Sequence, residues 1–141
     1  MTAFDGVVLG FDFGEVRIGV AVGNGLTASG RALKIVDGRT KKKWEDIAAI
    51  IAEWQPAALI VGLPRHKDGT PHEVTAMALK FARSLEGRTG LPVYMADERF
   101  TSVEAERRVS PGRALDAEAA AVIIEQWFME GCPRKGPQDG I

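Results

Sequence analysis

The first apolar segment of the chain carries a single acidic residue, and this combination limits how the segment can fold. Residues 7–14 have the sequence VVLGFDFG, and their β-branched and aromatic side chains are typical of an interior strand. An ionised carboxylate is costly there unless another group pairs with it, and the segment contains no Lys or Arg. A second strand over 18–22 completes a hairpin with Asp12 at its open end. Asp12 is therefore either a ligand of a divalent cation or an acceptor of backbone hydrogen bonds.

The composition indicates one globular domain. The chain has 141 residues, 45% of them hydrophobic and 26% charged, which suffices for a substantial core. No apolar run approaches the roughly 20 residues that span a bilayer, and no signal peptide is recognisable, so we expect no membrane partner. Cys132 is the single cysteine, which favours the reducing cytoplasm. A net charge of −1 argues against non-specific coating of nucleic acid.

The order of apolar segments predicts an α/β fold. Three early strands, the third over 26–36, predict an antiparallel meander, and apolar runs at 57–62 and 91–96 predict two parallel strands. Helices are predicted over 41–55, from an N-cap at Thr70, from Thr101 to about residue 111, and from Asp116 onwards. The prediction is thus a five-stranded mixed sheet flanked by helices, with one domain over 1–130. Glycines and prolines in 131–141 predict a mobile C-terminal tail.

Three acidic residues lie where this architecture would bring chain segments together. Asp12 ends the first strand, Glu98 follows the fifth, and Asp116 opens the last helix. Sites in open α/β sheets lie at the carboxyl edge, and clustered carboxylates there need a cation. Two Mg²⁺ ions about 4 Å apart can activate a water and stabilise the leaving oxygen of a phosphodiester. Asp97 and Glu98 face opposite sides of an extended strand, so only one enters the site, and we favour Glu98.

Two of these acids also have a structural explanation. Asp is a leading N-cap residue, so Asp116 can serve the last helix as a cap alone or as cap and ligand together. Glu98 can instead pair with Arg99 or Arg17 at the surface, which contributes little to stability. The local sequence leaves both alternatives open.

Several cations are candidates to bind phosphates. Arg17, Arg65 and Lys67 lie on predicted loops near the carboxyl edge, where they can act as charge-assisted donors or as solvated surface side chains. A basic run over 39–43 precedes and opens the first helix; it can contact a nucleic-acid backbone, but a solvated helix start is the default interpretation. Trp44 follows at helical core spacing and is interpreted as a packing residue.

Four motifs, in this order, resemble one known family. They are GFDFG with RIGVAVG in 10–23, IVGLP with DGT in 60–70, DERFT with VEA in 97–105, and an aspartate followed by AA and II in 116–124. Together they resemble the YqgF family of ribonuclease H-like proteins, described as pre-16S ribosomal RNA nucleases and as Holliday junction resolvases. Actin-like ATPases share the acid between glycines, but they are far longer and have a second phosphate motif.

The resemblance implies a ribonuclease H-like fold and a metal-dependent nuclease site. Asp12, Glu98 and Asp116 would hold two Mg²⁺ or Mn²⁺ ions. The candidate substrate-binding residues are Arg17, Arg65, Lys67, Arg99 and Thr101. The resemblance also implies a cytoplasmic protein that acts on nucleic acid, with structured RNA in ribosomal precursor particles favoured over branched DNA.

The segment before Asp116 departs from the family pattern. Family members often carry a longer basic loop containing glycine between the Val-Glu-Ala helix and the last aspartate, whereas here only residues 106–115 are available. The short loop weakens the hypothesis of a junction resolvase, which would also need a dimer to cut two strands. It also leaves open a non-catalytic assembly factor that binds ribosomal RNA.

Overall fold

A computed structural model describes residues 6–64, 74–97 and 115–138. Its elements are β1 (Val7–Asp12), β2 (Arg17–Asn24), β3 (Ser29–Asp37), α1 (Lys42–Trp54), β4 (Ala58–Leu63), α2 (Thr75–Thr89), β5 (Val93–Asp97) and α3 (Leu115–Met129). The strands form one sheet in the order β3-β2-β1-β4-β5. β2 is antiparallel to β1 and β3, whereas β4 is parallel to β1 and β5. The predicted mixed sheet of three antiparallel and two parallel strands is confirmed.

Two boundaries differ from the prediction by more than two residues. The third strand begins at Ser29 because Asn24 starts a turn, in which its Oδ1 accepts a hydrogen bond of 2.8 Å from Leu26 N. Leu26 is 80% exposed, so its apolar character marks no strand. The second helix begins at Thr75, later than predicted, with Val74 at its N-cap position. The predicted cap at Thr70 and the predicted helix from Thr101 to about 111 lie outside the described residues.

Helices cover both faces of the sheet. Residues of alternating parity in β1 enter two different cores: Leu9 and Phe11 pack toward α1 and α2, and Val8 packs toward α3. All six residues of β4 are buried, which explains its wholly apolar sequence. No helix within the described ranges is long and apolar enough to cross a membrane.

Glycines let α3 lie directly on the sheet. A Cβ atom added at Gly10 of β1 would lie 2.5 Å from Ile124 Cγ1 and 3.0 Å from the carbonyl oxygen of Ala120. One added at Gly30 of β3 would lie 2.6 Å from the carbonyl oxygen of Ala121. The absence of a side chain at these two positions therefore sets the depth at which the last helix packs.

The chain beyond α3 is attached to the domain by hydrogen bonds. The carbonyl oxygen of Lys135 accepts a 2.7 Å hydrogen bond from Met95 N in β5, and that of Pro133 accepts a 2.8 Å bond from the indole nitrogen of Trp127. Trp127 is fully buried, so its N–H group depends on this partner. The boundary at residue 130 and the mobility of the tail stay predictions, and a truncation tests them.

Ending the chain at Gly131 is expected to lower the free energy of unfolding by about 2 kcal/mol, since an indole N–H loses its partner. The truncation also removes Cys132, which is 3% exposed. Urea unfolding measures the change, and a chain ending at Gln138, which keeps these contacts, is the matched control. Equal stability of both truncated chains and the full chain would mean that the segment contributes nothing and moves freely.

Candidate functional site

The carboxyl ends of the three parallel strands meet at one edge of the sheet. Asp12 is the last residue of β1, Leu63 of β4 and Asp97 of β5. Phe11 pairs with Val61, and Leu63 pairs with Asp97, so these strands end at nearly the same level. Only β4 separates the ends of β1 and β5, which places the two backbones roughly 10 Å apart. This edge is the candidate functional site.

Asp12 lies on the side of the sheet that α3 covers. Val8 is buried in the core against α3, and Gly10 is in contact with the helix itself. Asp12 has the same parity in the strand, pairs with Gly19 of β2 and is half-buried. Asp12 is thus at the end of its strand, as the sequence predicts, and on the face of the sheet that α3 covers.

The first turn of α3 points toward the same edge. Ala120 and Ile124 both approach Gly10, and Ile124 also approaches Gly23, the register partner of Val8. The direction from Ile124 to Ala120, toward the N-terminus of α3, therefore corresponds to the direction along β1 toward Asp12. One further turn leads to residue 116, because a turn of helix rises by about the length of two strand residues.

Asp116 is the second residue of α3. The helix begins one residue earlier than predicted, so Asp116 lies in the first turn and not at the cap position. An acidic residue in the first turn is also favoured by the helix dipole. The structure describes the backbone of Asp116 and not its side chain.

The remaining predicted site residues fall in the gaps. Glu98, Arg65, Lys67, Arg99 and Thr101 lie outside the described residues. Within the described ranges, no three His, Cys, Asp or Glu side chains form a group that could hold a metal ion. Asp12 is the member of the predicted acid set whose side chain is described.

Arg17 begins β2 at the edge where Asp12 ends β1. It is exposed and pairs in register with Asp37 of β3. The turn that precedes it is tight, because a Cβ atom at Gly14 would collide with the carbonyl oxygen of Arg17. Gly14 therefore shapes the turn, and Arg17 stands at the rim of the candidate site.

Asp37, at the end of β3, is engaged by a neighbouring cation. Its carboxylate accepts hydrogen bonds from Arg39 N, Nε and an Nη at 2.9, 3.0 and 3.0 Å. The side-chain bond from Arg39 is the largest of the causes that lower the pKa of Asp37 to about 2. Asp37 is thus ionised at neutral pH and forms an exposed ion pair with Arg39.

Phe13 is a residue that the sequence analysis missed. Its ring centroid lies 5.1 Å from that of Phe81 in α2, which anchors the chain immediately after Asp12. The signal was present, since Phe13 continues the parity of Leu9 and Phe11, which face α2. The aromatic contact fixes the backbone that presents the Asp12 carboxylate.

Comparisons with known proteins agree on the nature of the chain. A family model, RuvX, described as Holliday junction resolvase, matches residues 6–130. A protein of Paraburkholderia xenovorans named "Putative pre-16S rRNA nuclease" is 54% identical over 129 residues, which are 88% of each chain. A protein of the same name from Paraburkholderia phymatum is 48% identical over 140 residues, covering 96% of this chain and 92% of the relative.

Solved structures support the fold. Thermus thermophilus RuvC in complex with a Holliday junction substrate matches with a TM-score of 0.60 and 18% identity, over 89% of this chain and 97% of that one. A second Thermus thermophilus RuvC structure matches with a TM-score of 0.54 over the same shares. At this identity the likeness concerns the fold alone, and it agrees with the ribonuclease H-like architecture.

Proposed function

The chain belongs to the RuvX family of nucleases, also named YqgF, and from that membership we propose that it hydrolyses phosphodiester bonds at the end of pre-16S ribosomal RNA. The observation that carries the proposal is Asp12, a half-buried acid at the carboxyl end of the central strand in a family of nucleases. Relatives about half identical over most of their length bear the name of a pre-16S ribosomal RNA nuclease. Ribosomal precursor particles in the cytoplasm are the proposed setting.

The proposed ligands suit a hard divalent cation. Asp12 lies among apolar residues in a strand without cations, and carboxylate oxygens are the donors that Mg²⁺ and Mn²⁺ accept. In the proposal, Asp12, Glu98 and Asp116 hold two such ions. When bound, these ions supply a reactive water and stabilise charge on the leaving oxygen.

Strand parity supports Glu98 as the second ligand. Ala96 of β5 belongs to the core on the α3 side, as Val8 of β1 does, whereas Met95 belongs to the opposite core. Of the two acids that follow, Glu98 has the parity of Ala96, and Asp97 has that of Met95. Asp12 and Glu98 are therefore the pair that shares the α3 side in the proposed site.

The remaining residues bind and orient the substrate in the proposed mechanism. Arg17 at the rim, with Arg65, Lys67, Arg99 and Thr101, contacts the phosphates on either side of the scissile bond. A water attacks the phosphorus in line with the departing 3′ oxygen, which leaves a 5′-phosphate and a 3′-hydroxyl. The acids on the α3 side would hold the cations, which would neutralise the negative charge that develops on the phosphate oxygens in this step.

Branched DNA is the second candidate substrate. The family model carries the description of a Holliday junction resolvase, and RuvC, a structural neighbour, was solved on such a junction. The short segment over 106–115 favours RNA over a junction.

Cleavage of labelled RNA spanning the precursor end, compared with a four-way DNA junction in Mg²⁺ or Mn²⁺, tests the substrate. We expect the RNA to be cut faster. Preferential cutting of the junction would mean that the protein is a resolvase of branched DNA. If neither is cut while the RNA still binds, the protein is an assembly factor and not a nuclease.

A further inference from the structure

A groove with a basic rim lies between α1 and α2, beside the end of β1. Its volume is about 500 Å³. Phe13, the residue directly after Asp12, is among its lining residues, so the groove begins where the candidate catalytic edge ends. It lies on the side of the sheet opposite α3.

The charges that line this groove are unevenly distributed. Lys41, Lys43, Lys80 and Arg88 contribute four cations, and Glu15 is the single acid among the described lining residues. The whole chain has a net charge of −1, so this excess of positive charge is local. A concave surface lined by one sign of charge concentrates ligands of the opposite sign.

One aromatic ring, that of Trp44, holds two of these cations in place. The guanidinium of Arg88 lies 4.4 Å from the centroid of the Trp44 ring, and Lys43 Nζ lies 5.7 Å from it. Lys43 also donates a 3.3 Å hydrogen bond to the carbonyl oxygen of Gly38. Cation–π contacts of this kind orient the charges without neutralising them.

The aromatic rings of the groove leave little room for stacked bases. Trp44 stacks on Phe81 with centroids 5.6 Å apart, and Phe81 in turn contacts Phe13. Proteins that bind bases offer an open aromatic face, whereas here the rings contact one another and Arg88. The groove is therefore suited to phosphates and not to bases.

Two lysines at the rim are available to a ligand. Lys41 and Lys80 are exposed, and neither side chain has an ion-pair or hydrogen-bond partner among the residues that the structure describes. Arg39, close to Lys41 in sequence, is in contrast engaged by Asp37. Lys41 and Lys80 belong to different sides of the groove, one before α1 and the other in α2.

We propose that this groove binds the sugar–phosphate backbone of the RNA strand that flanks the cleavage site, independently of its sequence. The proposal rests on the proposed function, because it takes nucleic acid as the substrate. Lys41 and Lys80 contact phosphates, and Lys43 and Arg88 supply fixed positive charge below them. A strand that leaves the candidate site at Asp12 reaches the groove over Phe13. The basic run at the start of α1 thereby gains a role beyond solvation.

Two double variants with equal charge change test the groove. Lys41→Glu with Lys80→Glu reverses charge at the rim. The control, Lys42→Glu with Arg83→Glu, makes the same change of charge at the neighbouring position that begins α1 and at an exposed position of α2, both outside the groove. Among the described residues, the Lys42 side chain forms an ion pair with Asp46 at 3.6 Å and is 72% exposed, so loss of this pair costs little. A milder variant, Lys41→Ala with Lys80→Ala, guards against misfolding.

Fluorescence anisotropy of a labelled RNA single strand in EDTA, over a range of salt concentrations, gives the affinity of each variant. We expect the groove variant to bind about tenfold more weakly near 0.1 M salt, with a salt slope smaller by about 1.4, since each phosphate contact on a single strand contributes about 0.7. The alanine variant is expected to move in the same direction. The control is expected to bind as the unmodified chain does.

The outcomes separate this proposal from the nuclease proposal. Binding is measured without metal, so it does not depend on cleavage. If the groove variant binds RNA more weakly than the control but the unmodified protein cuts no RNA, the groove proposal stands and the nuclease proposal fails. Equal affinities of groove and control variants, in a protein that still cleaves, would overturn the groove alone. In cleavage assays the groove variant is expected to raise KM with little change in kcat.

Discussion

Asp12→Asn is expected to lower the rate of cleavage by about 10³-fold, which corresponds to roughly 4 kcal/mol of transition-state stabilisation. The amide keeps the shape of the side chain but removes its negative charge, and with it the proposed affinity for a divalent cation. Because the amide has nearly the same volume and can still accept hydrogen bonds, the metal-free variant is expected to remain folded. Single-turnover cleavage and thermal unfolding measure the two effects.

Asp46→Asn is the matched control for this variant. Asp46 lies in α1, where it pairs with Lys42 at the surface, 3.6 Å away. Its conversion to an amide is expected to leave cleavage unchanged. If Asp12→Asn still cut RNA at the rate of the control, Asp12 would be a structural acceptor of hydrogen bonds and not a ligand.

Glu98→Gln and Asp97→Asn are expected to differ strongly in their cleavage rates. Ala96 packs on the α3 side, so the parity of β5 favours Glu98 as the acid that shares the site with Asp12. We therefore expect Glu98→Gln to lose about 10³-fold in cleavage rate and Asp97→Asn to lose less than about tenfold. The same single-turnover assay applies, and each variant is the control for the other. The reverse order would assign the metal to Asp97 and would mean that the strand alternation ends before residue 98.

The sheet could be predicted because its strands carry strong local signals. β4 is apolar at every position, and its burial on both faces explains that sequence. The position of Asp12 could be predicted for the same reason, because the apolar residues before it mark a strand and Asp12 is the acid at the end of that strand. The predicted start of β3 at residue 26 was wrong, because Leu26 is apolar yet lies in a turn that Asn24 stabilises. Such a turn depends on a side-chain hydrogen bond, which hydrophobic periodicity does not record.

Tertiary contacts decided what the sequence could not predict. Trp44 was interpreted as a packing residue, and its stacking on Phe81 agrees with this, but its contact with Arg88 depends on how α1 and α2 meet. The groove exists because residues more than thirty positions apart, such as Lys43 and Lys80, line the same space. The pairing of the tail with β5 through Lys135 likewise joins a polar segment to an apolar strand. None of these contacts has a local sequence pattern.

Locating Mn²⁺ in crystals of the protein by anomalous scattering tests the central claim most directly. We predict one or two ions at the carboxyl edge of the sheet, with an Asp12 carboxylate oxygen about 2.1 Å from one of them. The same ions should be absent from Asp12→Asn crystals grown in the same solution. Mn²⁺ bound elsewhere, or not at all, in protein that cleaves RNA in Mn²⁺ would contradict a catalytic centre built on Asp12.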